Sequence, residues 1–174
     1  KGFGNKVFYQ LKSDERVMEE LLYLKNELGV KQVFIEDDSL FGRKKRAIRL
    51  LKQVIDLGLR LVDINGINII HLLKNGKPDL EVIELMAKAG FTDFSFPFES
   101  GNGRILKKWS SNKWDINNTD VKGLIEALKK NNIRMDANYI IGFPDETYEE
   151  VMNTIKFAKQ NAEWGVDTSC FFIY

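Results

Sequence analysis

The chain has one cysteine, Cys170, one histidine, His71, and three prolines in 174 residues. A single thiol excludes an internal disulfide and any cysteine-rich metal site supplied by this chain alone. No apolar run reaches the roughly 20 residues that cross a bilayer, so no membrane is expected. Neither sign of charge predominates: 26 Lys and Arg against 25 Asp and Glu leave +1. That balance points to neither nucleic acid nor an anionic surface as partner. No Walker-type loop and no Gly-x-Gly-x-x-Gly follows an apolar run. No Ser or Cys is paired with a His as nucleophilic catalysis requires. The opening residues Lys1–Lys6 do not read as a secretory leader, and the cytoplasm is the expected compartment.

What is present is a pattern that occurs five times. A helical stretch ends at Gly or Asn, and an apolar run begins a few residues later. The sites start at Gly29, Gly58, Gly90, Asn131 and Gly165. Gly, and less often Asn, closes a helix because it tolerates the left-handed cap conformation. The runs that follow read as strands with helices packed on them, at Val33–Glu36, Leu59–Ile64, Asp93–Phe98, Ile133–Ile141 and Val166–Tyr174. Helices are expected from Ser13 as N-cap, over Arg43–Leu57, over Asp79–Ala89, over Thr119–Asn131 and over Thr147–Glu163. Thr147 with Glu150 makes a capping box. Residues 1–12 read as irregular, or as a frayed strand at Val7–Tyr9, and Gly101–Trp114 as a long polar connection. Pro97 cannot donate to a ladder, so a bulge or strand end is expected there. The basic run on the second helix (Arg43, Lys44, Lys45, Arg46, Arg49, Lys52) reads as a solvated face.

The order is helix–strand throughout, starting on a helix and stopping on a strand. The expected architecture is α/β: one domain over 1–174, a parallel open arc of about five strands from a partial (β/α) barrel, whose ends read as cuts. An arc with exposed edge strands is expected to self-associate.

Parallel sheets bind ligands at the carboxyl ends of their strands. The first strand ends in Glu36-Asp37-Asp38-Ser39, and three adjacent acids repel one another unless a cation or donors lie near. They suit an ammonium group, ribose hydroxyls or a cation; the competing reading is a helix cap at Asp38 or Ser39. Asn65 and Asn68, after the second strand, are as consistent with turns as with ligands. The third strand ends in Glu99-Ser100-Gly101, where the acid could accept from a sugar or an amine, or simply cap. The fourth ends in Asn138-Tyr-Ile-Ile-Gly142-Phe-Pro-Asp145-Glu146-Thr147. Here Gly142 beside a Phe-Pro turn would make a flat apolar ledge suited to a planar ring. The last strand, Phe171–Ile173, reads as core with Tyr174 excepted. Cys170 reads as a small buried hydrophobe and His71 as a packed side chain.

Phe34-Ile-Glu-Asp-Asp-Ser-Leu-Phe41, Asp79-Leu-Glu-Val-Ile-Glu-Leu-Met-Ala-Lys-Ala-Gly-Phe91, Phe98-Glu-Ser-Gly101 and Ala137-Asn-Tyr-Ile-Ile-Gly-Phe-Pro-Asp-Glu-Thr-Tyr-Glu-Glu150, taken in order, resemble the core of radical S-adenosylmethionine enzymes. The similarity extends to the branch whose members often carry a cobalamin-binding domain. It covers about residues 13–174 and lacks the family's three-cysteine loop. The resemblance implies a (β/α)6-type barrel and a [4Fe–4S] cluster that reduces S-adenosylmethionine to a 5′-deoxyadenosyl radical in the full-length protein. Cobalamin would come from another domain. It also implies that Glu36-Asp37-Asp38 stand where the family's Gly-Gly-Glu holds the methionine amino group, with Asp38 as the positional match to the Glu. Glu99 and Ser100 match the polar end of the strand that contacts ribose or the methionine carboxylate region. Asn138–Asp145 match the Gly-x-Ile-x-Gly-x-x-Glu motif, with Ile140 and Gly142 retained and Ile140 against adenine. No metal ligand is implied within this chain, and the substrate stays open. Two alternatives are a receiver-like module, whose acids after the first strand would hold Mg2+, and a non-catalytic barrel arc that binds a partner.

Overall fold

The computed structural model describes residues 11–37, 39–110 and 114–174. Five strands form one sheet in the order β1 (Gln32–Ile35), β2 (Arg60–Asp63), β5 (Phe91–Glu99), β6 (Arg134–Ile141) and β7 (Thr168–Ile173). Every pairing is parallel. The strands follow their order in the chain, with no permutation about a switch point, which removes the receiver-like reading. Between β2 and β5 the chain adds a two-stranded antiparallel ribbon, β3 (Leu73–Lys74) and β4 (Lys77–Pro78), after a 3₁₀ turn at Ile69–Leu72. Short polar strands of this kind carry no period long enough to read.

The helices are α1 (Asp14–Asn26), α2 (Lys44–Val54), α3 (Leu80–Lys88), α4 (Gly103–Trp109), α5 (Val121–Lys130) and α6 (Tyr148–Trp164). Most starts are set by side-chain caps: Ser13, Asp79, Asp120 and Thr147 each accept an amide from the first turn. The Thr147–Glu150 capping box forms in both directions. The left-handed residue after α5 is Asn132, at φ 57°, one place beyond the Asn131 expected from the sequence. The connection expected to be irregular after Gly101 contains α4. Its Ile105 and Leu106 are buried, so two adjacent apolar residues seat this short helix.

One face of the sheet is covered. Phe94, Phe96 and Phe98 of β5 and Met135, Ala137 and Tyr139 of β6 are buried against the helices. Their rings interlock: Phe94 and Phe96 meet edge-on at 4.8 Å, and Phe98 contacts Trp114, Tyr139 and Phe157. The alternate residues look out from the other face. They lie in rows set by the register, such as Pro97–Asn138–Cys170 and Ile140–Phe172. That second face is the concave side of an open arc. The shape explains why β5 reads Phe-x-Phe-x-Phe instead of a continuous apolar run: only one of its faces is packed.

Two expectations fail at the last strand of the sheet. β7 is exposed throughout, with Phe172 54% and Ile173 86% accessible, so Phe171–Ile173 are not core. Cys170 is exposed rather than buried. In both cases β7 is the edge strand and no described helix covers it. At the other flank, α1 buries no residue fully. That helix is held at the periphery by Asp14, which takes ion pairs from Arg46 at 3.0 Å and Arg49 at 2.6 Å. Part of the basic run on α2 is therefore engaged in structure. The expected break at Pro97 is present as a register shift between Pro97 and Glu99.

Candidate functional site

The carboxyl ends of the strands are staggered. Ile35 and Asp63 end β1 and β2 level with Phe94, and β5 continues through Ser95 to Glu99. The rim of the sheet thus has two parts, one around β1 and β2 and one around β5 and β6.

In the first part Glu36 and Asp37 are exposed directly after β1. Asp38 lies outside the described residues. Ser39 makes no side-chain cap to the turn that follows, against the capping alternative for it. Asn65 donates from Nδ2 to the Glu36 carbonyl at 2.7 Å, so its role includes tying the β2 end to the acidic segment. The residue not anticipated from the sequence is Asp63. It is 2% exposed, and its carboxylate accepts the Gly66 amide at 2.7 Å. Burial pushes its pKa up to about 6, opposed by that amide and reinforced by the charge of Asp37. As the last residue of an apolar strand it looks like a turn residue, and only its burial distinguishes it.

In the second part Glu99 ends β5 in the left-handed region, at φ 66°. A non-glycine residue there is uncommon and marks a locally over-determined backbone. The cause lies next to it. Ser100, expected beside a cofactor, is instead fully buried: its hydroxyl meets Thr154 Oγ1 of α6 at 3.1 Å and accepts the Asn102 amide at 3.1 Å. Asn102 also donates to the Glu150 carbonyl at 2.7 Å. Gly101 permits this approach to α6 and not an approach to a ligand, since a Cβ there would sit 2.8 Å from Phe157 Cβ. Polar residues after a strand end read alike whether they face a helix or a cleft, so the sequence could not separate Ser100 from Glu99.

Ile140 is half-buried on the concave face, in register with Phe172, and Gly142 follows at φ 85°. The last acid of the matched motif has a structural task. Asp145 takes hydrogen bonds from Lys108 at 2.6 Å, Arg104 at 2.7 Å and Trp109 at 2.6 Å, which hold its pKa well below the usual carboxylate range. Arg104 also binds both oxygens of Glu150 and, with the Thr147 amide, lowers that group to about 2. The neighbouring Glu146 shapes the ledge: its Oε2 accepts the amides of Gly142 at 2.6 Å and Phe143 at 3.2 Å, and its Oε1 is buried with no partner among the described residues. Phe143 stacks on Trp109 at 6.0 Å and contacts Tyr174 at 5.0 Å.

The rim therefore combines exposed carboxylates on one side with a fixed apolar ledge on the other. Among the described residues no group of three or more His, Cys, Asp or Glu is placed to hold a metal ion. The chain's single cysteine cannot furnish the three thiolates of a [4Fe–4S] cluster. The residues do fit an adenosyl-type ligand, which requires an apolar wall, a close backbone and acceptors for hydroxyl and ammonium groups. No described helix is long and apolar enough to cross a membrane.

An arc of five parallel strands in chain order, with helices packed on one face, defines a partial (β/α) barrel. The family model of the radical SAM superfamily matches residues 3–158, and the chain belongs to that superfamily, which uses S-adenosylmethionine and a [4Fe–4S] cluster. An uncharacterized methyltransferase of Pyrococcus horikoshii is 35% identical over 150 residues, covering 85% of this chain and 30% of that protein. The cytidylyl-2-hydroxyethylphosphonate methyltransferase of Streptomyces wedmorensis is 26% identical over 167 residues, covering 92% and 29%. The chain thus spans less than a third of the length of these relatives. Among solved structures, the radical S-adenosylmethionine methyltransferase TsrM from Kitasatospora setae, with cobalamin and a [4Fe–4S] cluster bound, superposes with TM-score 0.73 at 17% identity, covering 93% of this chain and 31% of that one. The cobalamin-dependent radical enzyme OxsB gives TM-score 0.66 at 12% identity, covering 84% and 22%. At these identities the likeness is one of fold.

Proposed function

We propose that this chain is the arc that holds S-adenosylmethionine in a radical SAM enzyme of the methyl-transferring kind. The observation that carries the reading is the composite rim: Glu36 and Asp37 at one end, and Glu99, Ile140 and Gly142 at the other, on parallel strands of one sheet. The methyltransferase names of the relatives support the reaction class. In the full-length protein the cluster would come from cysteines outside this chain, and cobalamin from another domain. When bound, the cluster supplies the electron for reductive cleavage.

The roles of this chain's own residues follow from their chemistry. Glu36 and Asp37, both exposed, offer acceptors to an ammonium group. Glu99 offers acceptors to ribose hydroxyls. Ile140 gives an apolar wall to a planar ring, and Glu146 holds the Gly142 and Phe143 amides so that the ledge stays flat. The reading is tested with reduced, cluster-loaded full-length protein. S-adenosylmethionine should bind in a calorimetric titration, and turnover should release S-adenosylhomocysteine or 5′-deoxyadenosine. Glu99→Ala should weaken binding by on the order of 1–3 kcal/mol, the scale of a hydrogen bond to a charged group. Wild-type protein that binds no S-adenosylmethionine and releases neither product would overturn the reading.

A further inference from the structure

A cavity of about 240 Å3 opens beside the first part of the rim, lined by Ser39, Phe41, Asn65, Asn68, His71 and Pro97 among others. The stagger of the strands creates it. Because β1 and β2 stop early, the loop after β2 runs along β5 in their place. Ile67 donates to the Ser95 carbonyl at 3.1 Å, and Gly66 is pinned by Asp63. The 3₁₀ turn then lifts His71 to the cavity wall. Phe41 and Ile67, both buried, give that wall an apolar backing.

The chemistry of the lining is specific. Among the described residues that line it there is no carboxylate, ammonium or guanidinium, so a charged ligand would find no counter-charge from them. Asn65 uses its Nδ2 on the Glu36 carbonyl, which leaves Oδ1 as an acceptor. Asn68 uses its Oδ1 on the Ile70 amide, which leaves Nδ2 as a donor. His71 is half-buried, and burial together with the charge of nearby Lys44 lowers its pKa, so near neutral pH the ring offers one donor and one acceptor. Lys44 itself is held by Asp79 at 2.9 Å. Pro97 adds a rigid apolar face without an amide hydrogen.

We propose that this cavity receives a neutral, planar group with adjacent hydrogen-bond donor and acceptor, an amide or lactam edge of the substrate. Calling the ligand a substrate group rests on the function proposed above; the binding chemistry does not. Volume agrees with the assignment, since 240 Å3 accommodates a single ring with its substituent and not a whole nucleoside cofactor.

The test titrates full-length protein with nicotinamide, a neutral ring with an amide, and with nicotinate, the same ring as an anion. The ring resonances of His71, assigned by their loss in His71→Gln, report binding. Nicotinamide should shift them saturably, and nicotinate should bind at least tenfold more weakly. His71→Ala and Asn68→Ala should each weaken nicotinamide at least fivefold, read for these variants from the amide resonances of the loop after β2. His71→Gln, which keeps a donor and an acceptor at this position, guards against misfolding and should retain part of the affinity. Equal binding of the two probes, or nicotinamide binding untouched by all three variants, would overturn the site. A parallel S-adenosylmethionine titration separates the two ideas. Intact cofactor binding with no response at His71 defeats this site alone. A response at His71 without cofactor binding supports the site and defeats the function proposed above.

Discussion

The two parts of the carboxyl rim are built on different principles. Around β5 and β6 much of the polar rim is tied down: Ser100 and Asn102 to α6, Asp145 to α4, Glu146 to its own backbone. Around β1 and β2 the loops are held by few bonds, the acids are exposed, and one carboxyl is buried near its proton-exchange range. The contrast teaches that a rim can separate shape from charge. The tied part keeps a fixed apolar ledge. The looser part carries groups whose ionisation can respond to a ligand or to pH.

The most damaging test of this contrast lies in the tied part. Phe98 is fully buried among four aromatic rings. Phe98→Ala should destabilise the protein by about 3–5 kcal/mol, the range for large core truncations, read from urea midpoints. A loss near zero would mean that the β5–α6 contact is not what holds this part together. Next comes Gly101→Ala, whose Cβ would meet Phe157 Cβ at 2.8 Å and Thr154 Cα at 3.1 Å. Overpacking of this kind costs about 1–3 kcal/mol. If it is silent, α6 moves freely over the strand end and the ledge is not fixed.

The looser part should reveal itself through pH. The folded pKa of Asp63, about 6, stands above its ordinary 3.8, so the folded state binds this proton more tightly than the unfolded state. The stability it contributes is full below pH 4 and is lost as pH rises through 6, on the order of 1–3 kcal/mol. Asp63→Asn keeps the acceptor for Gly66 and should flatten this part of the stability curve, between about pH 4 and pH 6. A variant curve parallel to wild type would place the titration elsewhere. The smallest effect expected is that of Asp37→Asn. It removes a charge that raises the Asp63 pKa, so the Asp63 midpoint should move down in a carboxyl-detected NMR titration. Glu150→Gln, in the tied part, should leave that midpoint in place. If both variants act alike, the two parts are not electrostatically separate.

Much of this was legible in the residues. The caps at Gly29, Gly58, Gly90 and Gly165 all take positive φ, and the Thr147–Glu150 box forms as its spacing requires. These are local effects, decided within a few residues, and local patterns report them faithfully. Ser100 was misread for the opposite reason. It carries a polar group at the right strand end, but a partner on α6, Thr154, decides which way it points. β7 was misread as core because its apolar sequence is that of a packed strand, and an edge position leaves it uncovered.

The order of elements, their caps and the two-residue alternation of β5 follow from the amino-acid sequence alone, because backbone sterics and side-chain period act over short distances. Which face of the sheet is covered, how far β5 outruns β2, and therefore the cavity at His71 and the raised pKa of Asp63 were decided only by tertiary structure. Register, burial and the local dielectric are properties of chains brought together, and no segment carries them by itself.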